Sequence, residues 1–203
     1  MDHKNMLRHP KQQRSRERVQ RIIDATLSVL EQEGVKALST RSIATRAEIP
    51  VSSVYQYFPN KEAILVAVYE DYLEVVREAY DKADTPENRT LPKREFFSQL
   101  ISKLWAAEGR NNIDAEFETA LGLYPQLMAI DRAHEDWIAE RIVKSLVQLG
   151  SDWPKPKLKR MAYFLYQSNS TLWFYRSRHN PPKKEAREWA LASLLAVFEK
   201  CFE

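Results

Sequence analysis

The chain has 203 residues, 44% of them hydrophobic and 29% charged, with a formal net charge of +3; that length allows one substantial core, or a small domain joined to a larger one. A single cysteine, Cys201, excludes an intramolecular disulfide, and no uninterrupted apolar stretch approaches the ~20 residues of a membrane span. Residues 1–21 also lack the apolar segment of a secretory signal, so a cytoplasmic protein is expected.

Charge is unevenly distributed. Residues 1–21 hold seven Lys/Arg against Asp2 and Glu17, a net +5, while the remaining 182 carry 24 basic and 26 acidic residues, a net −2. Residues 1–13 read as a basic, disordered arm, and Arg14 to Arg21 as candidates for phosphate contact, the alternative being a solvated leader. A first helix is expected over 15–33, with Val19, Ile22, Ile23, Thr26, Leu27 and Leu30 on its buried face. Residues 38–61 then read as two short helices. Ile43, Ala44 and Ala47 stripe the first, and Val51, Val54, Tyr55 and Phe58 the second. Glu48-Ile49-Pro50 breaks them apart, and Pro50 is preset for a first helical turn. So small a pair cannot bury its own apolar faces without a covering helix, which is the physical content of a helix-turn-helix whose second helix is free to enter a major groove.

From Asn60, a capping residue, a helix carries Ile64, Leu65, Val68, Tyr69, Tyr72, Leu73 and Val76 at helical spacing, and residues 84–89 read as the clearest linker. Further helices are expected over 92–108, 114–123, 125–149, 157–177 and 182–202. Gly34, Gly109 and Gly150 each stand where a helix should stop. No window shows strand alternation, so the fold class is all-α with about nine helices. The domains are then an arm over 1–13, a helix-turn-helix unit over 14–59, a connecting helix over 60–84 and a second helical domain over 85–203.

The stretch from Leu38 to Lys61 resembles the DNA-binding signature of the TetR/AcrR family of bacterial transcriptional regulators. Thr40, Ile43, Ala44, Ala47, Tyr55, Tyr57, Phe58 and Lys61 fall on that pattern without a gap, and Ser53 conservatively replaces a small hydroxyl residue. Two positions depart from it. Glu48 stands at the usual turn glycine, which requires either a positive φ at ~1 kcal/mol or a different turn. Pro50 stands at the usual capping serine and removes a cap worth about 1 kcal/mol.

The resemblance implies DNA-facing roles for Arg41, Val51, Ser52, Ser53, Tyr55, Tyr57 and Lys61, with Thr40 and Lys61 as backbone clamps. By residue type, Arg41 is the only side chain of this stretch able to grip a guanine through two bonds. Val51, Ser52, Ser53, Gln56 and Tyr57 are expected to be exposed and Tyr55 partly covered, with Tyr55 and Phe58 alternatively plain core residues. Of 22 aromatics, 19 follow residue 60. A bundle lined by Trp105, Phe117, Tyr124, Met128, Trp137, Tyr166 and Trp173, with Asn169 and His134 as polar orienters, would suit an apolar or aromatic small molecule. Ordinary core packing is the alternative for each, and satisfied core polar groups for Asn169 and His134. Trp189, Ala190, Ser193, Leu194 and Val197, with Phe198, mix large and small residues on one helix face, which suits close helix packing. The resemblance implies a homodimer through the last two helices.

Chemistry finds no catalytic constellation: His134-Glu135 begins a metalloprotease pattern, but Ile138 occupies the second histidine position. No catalytic residue, metal site or cofactor is expected. The reading is a homodimeric, ligand-responsive repressor on a pseudo-palindromic double-stranded operator, its reader heads ~34 Å apart, released by an apolar or aromatic effector. The alternative is a DNA-bound structural or cell-division factor of the same fold, with a protein partner and no effector.

Overall fold

The computed structural model describes residues 6–7, 13–108 and 113–203. Among them are nine α-helices and no strand: α1 (Gln13–Glu33), α2 (Thr40–Arg46), α3 (Val51–Tyr55), α4 (Lys61–Ala83), α5 (Lys93–Glu108), α6 (Asp114–Leu123), α7 (Pro125–Gln148), α8 (Lys155–His179) and α9 (Lys183–Glu199). Gly109, expected to stop α5, lies outside the described residues, as does most of the 1–13 arm. Of the three described arm residues, Gln13 opens α1. Met6 is buried, and the Leu7 N–H donates to the Tyr57 carbonyl at 2.8 Å.

The chain forms two compact units, one of residues 1–73 with 111–128, the other of 74–110 with 129–203. This differs from the division expected from the sequence in two respects. The boundary falls inside α4, and α6 belongs with the N-terminal unit. The reason is visible at α6, where Phe117 is buried against Tyr69 and Tyr72, with ring centroids 4.9 and 4.8 Å away. The expected linker over 84–89 is a closed turn. Asp84, nearly buried, holds Arg89 through contacts of 2.6 and 2.7 Å, and Asn88 donates to the Ala83 carbonyl at 2.7 Å.

In the N-terminal unit Ile22, Val29, Leu30, Ile43, Val54 and Phe58 are fully buried, each such side chain contributing roughly 1.5–3 kcal/mol. Gly34 stops α1 at φ +80°. Helix α2 opens on Ser39, whose side chain accepts the Ser42 N–H at 2.9 Å while Ser42 Oγ accepts the Ser39 N–H at 2.9 Å. That reciprocal cap satisfies two donors that a helix start leaves over. The other unit is cored by Tyr80, Phe96, Phe97, Leu165, Leu172 and Phe198, with Phe97 stacked on Phe198 at 4.1 Å.

Candidate nucleic-acid interface

Two short helices meet at a turn held from outside. Glu48 takes φ +53°, so the turn keeps the backbone that glycine would supply, at a non-glycine residue. Arg21 of α1 reaches across and donates to the Ala47 carbonyl, and to the Glu48 carbonyl at 3.3 Å. A guanidinium thus satisfies acceptors left over at the end of α2. Arg21, read in the sequence among the phosphate-contacting arginines, is engaged by the turn. Helix α3 starts after Pro50 with no side-chain cap.

Arg41, Ser52, Tyr55 and Gln56 are exposed on this motif, as are Thr45, Arg46, Glu48 and Pro50, with Thr40, Val51 and Lys61 half-buried. The Tyr55 hydroxyl lies 3.1 Å from Thr40 Oγ1, a bond that ties α3 to the start of α2. Lys61 donates to the Leu38 carbonyl at 3.1 Å and sits 5.7 Å from the Tyr124 ring centre.

Four expectations of exposure are corrected here, Val51 being half-buried. Tyr57 is 4% and Ser53 8% exposed, whereas Tyr55, expected to be partly covered, is 48% exposed. Val54, Tyr57 and Phe58 stand at i, i+3 and i+4, so they share the inward face, and Tyr55 is turned away from it. That spacing was available in the sequence. The inward stripe runs through Val54, Tyr57 and Phe58, not through Tyr55.

The seven residues proposed to line one ligand site are divided between the two units. Phe117, Tyr124 and Met128 belong to the N-terminal unit, where Phe117 packs on α4 tyrosines and Met128 is exposed. In the other unit Trp105 is buried and its indole N–H donates to Asn169 Oδ1 at 2.6 Å. Tyr166 donates to Asp131 at 2.9 Å, and Trp137 packs edge-on to Tyr80. Trp173 is buried under Arg176. His134 is 1% exposed and accepts from Arg77 Nε at 3.2 Å through Nδ1. Burial, and then the Arg77 charge, push its pKa down to about 3, so the ring is neutral with its proton on Nε2. Both expected orienters, Asn169 and His134, therefore have protein partners.

On the last helix, Leu194 belongs to the unit's own core, while Ala190 and Val197 are half-buried against it. Trp189 is 56% exposed, and Ser193, also exposed, donates to the Trp189 carbonyl at 3.0 Å. Sequence reasoning missed the neighbouring stripe. Arg160, Phe164, Gln167, Thr171, Phe174 and Arg178 of α8 are all exposed at alternating four- and three-residue steps, and Phe164 and Phe174 are large apolar side chains left in solvent. The spacing of that stripe was legible; its facing outward was not.

Residues 22–68 match the family model described as bacterial regulatory proteins, tetR family. Across that segment, from α1 into α4, the chain is similar to the TetR family. It is 33% identical over 104 residues to the HTH-type transcriptional repressor KstR of Mycolicibacterium smegmatis, across 51% of this chain and 50% of that one. It is 30% identical over 110 residues to the HTH-type nicotine-responsive transcriptional repressor HdnoR of Paenarthrobacter nicotinovorans, across 52% of this chain and 54% of that one. The chain thus spans about half the length of these curated relatives. A transcriptional regulator from Rhodococcus sp. Rha1 shares the fold with a TM-score of 0.74 at 19% identity, covering 90% of this chain and 96% of that one.

Proposed function

We propose that the protein is a homodimeric, sequence-specific DNA-binding repressor whose grip on a pseudo-palindromic operator is released by a small apolar or aromatic effector. The observation that carries DNA binding is the surface of α2 and α3, where Arg41, Ser52, Tyr55 and Gln56 stand exposed over a sealed base of Ile43, Val54, Tyr57 and Phe58. Polar side chains on a rigid two-helix platform are what groove reading needs, with Arg41 as the group able to hold a base edge by two bonds. The names of KstR and HdnoR support repression. The term "nicotine-responsive" in the second supports control by a small molecule.

Dimerisation is supported by the solvent-facing α8–α9 surface. Trp189, Tyr175, Ala190 and Thr171 border a groove of about 330 Å³ there, with Phe164 and Phe174 exposed along the same helix. Several large aromatics exposed on one helix pair point to association, and a two-fold dimer would present two reader heads to two half-sites.

Genomic footprinting followed by mobility shifts on the recovered site tests the reading. Arg41→Ala should cost about 1–3 kcal/mol on the operator and little on random DNA. Trp189→Glu should halve the mass in light scattering with helicity unchanged. Equal affinity of wild type and Arg41→Ala for the operator, or a wild-type monomer at micromolar concentration, would overturn it. Many dispersed sites with no ligand-induced release would favour a structural DNA-bound factor instead.

A further inference from the structure

A cleft of about 470 Å³ opens between α5 and α9, lined by Ser102, Trp105, Lys183, Lys184, Arg187, Glu188 and Leu191. Its size lies within the range of small-molecule sites. The base is apolar: Trp105 lines it while 3% exposed, its ring N–H committed to Asn169 Oδ1 at 2.6 Å, so only the small open part of the indole is available to a ligand. Leu191 adds an aliphatic wall.

The rim has the opposite character. Three cations, Lys183, Lys184 and Arg187, face one carboxylate, Glu188. Lys184 approaches Glu188 only to 3.9 Å, with both side chains well exposed at 90% and 62%, a pair too weakly held to cancel the local charge. The Arg187 guanidinium is fixed over the cleft, donating to the Trp105 carbonyl at 3.3 Å, with its carbon 6.0 Å from the indole centre. The first turn of α9 holds two lysines against Glu185, so it stays net positive at the end where the helix dipole favours anions. A concave, apolar-walled site with a net positive rim concentrates organic anions.

We propose that this cleft binds an amphipathic organic carboxylate, its apolar body on Trp105 and Leu191 and its acid group between Lys183, Lys184 and Arg187. The proposal rests on the effector-responsive reading and names the class of effector: acidic amphiphiles rather than neutral hydrophobes.

The test is calorimetry on the full chain with aryl and medium-chain fatty carboxylates, each paired with its primary amide. Binding of at least one carboxylate is expected, with its amide at least about tenfold weaker and with affinity falling as salt rises. Lys183→Gln with Lys184→Gln should weaken that carboxylate about tenfold, leaving the amide and the ligand-free operator affinity unchanged. If no carboxylate binds, if amides bind equally well, or if the double variant keeps full carboxylate affinity, the proposal falls. Operator release is scored separately. Neutral compounds that release DNA would leave the effector reading standing without this site. A carboxylate that binds here in the lysine-dependent way but leaves operator affinity untouched would keep the site and remove the effector reading.

Discussion

The carboxylate of Glu116 accepts the backbone N–H of Val35 at 2.7 Å, joining α6 to the turn that follows α1 across 81 residues of sequence. Gly34 makes the approach possible, since a Cβ there would stand 3.1 Å from the same carboxylate oxygen and its φ is +80°. The charge-assisted bond caps the short 3-10 turn Val35–Ala37, whose first donors lack a side-chain cap of their own. Glu116→Ala is expected to lower the stability of the N-terminal unit by about 1–2 kcal/mol, read as faster amide exchange at Val35. Exchange at Val35 unchanged from wild type would refute the role.

The turn between α2 and α3 yields a second expectation. A non-glycine residue at positive φ costs ~1 kcal/mol or more, partly offset in a Gly variant by the entropy of its unfolded chain. Glu48→Gly should therefore raise the melting temperature slightly, with a gain of about 0.5 kcal/mol. Arg21→Gln, which strips the Ala47 and Glu48 carbonyls of their donor, should cost about 1–2 kcal/mol. A thermal melt of each variant and of the pair decides this; a destabilising Glu48→Gly would show that the turn gains something from the glutamate.

Tyr55 and Tyr57 should separate function from folding. Tyr55→Ala removes an exposed ring and its bond to Thr40, and is expected to weaken operator binding while moving stability by less than about 1 kcal/mol. Tyr57→Ala opens the buried base of the motif and should cost about 3–5 kcal/mol. Paired mobility shifts and denaturant melts check both; a stably folded Tyr57→Ala protein with selectively lost operator binding would reverse the assignment.

His134 sets a pH dependence. Its pKa is about 3 in the folded chain against an ordinary 6.5, so below pH 6.5 the unfolded chain takes up a proton that the folded chain refuses. The stability it allows is complete above about pH 6.5 and is lost as pH falls towards 3, by about 1.4 kcal/mol per unit. His134→Gln should flatten that part of the curve relative to wild type. Identical slopes between pH 6 and 4, in urea melts of the two proteins, would show that His134 does not titrate on unfolding.

Much was legible because it is local. Helical periodicity, the Asn60 cap that accepts the Ala63 N–H at 2.8 Å and the positive φ at Gly34 and Gly150 all follow from residues within one or two turns of each other. The helix-turn-helix was legible for the same reason, since many residue types must coincide at fixed short spacing. Even the anomaly at Glu48 could be anticipated, because the turn dictates the backbone whatever side chain occupies it.

Other features depended on residues far apart in the chain. That Glu116 caps the turn at Val35, that Asn169 accepts from the Trp105 indole N–H and that Arg77 meets His134 are pairings over 81, 64 and 57 residues. Aromatic composition alone could not distribute Phe117 and Trp105 between two units, nor turn Leu194 inward and Phe164 outward, because ring-rich helices have several apolar faces of similar energy. Only the packing of neighbouring helices selects which face is buried, and that selection leaves the cationic rim of α9 beside Trp105 and the aromatic stripe of α8 in solvent.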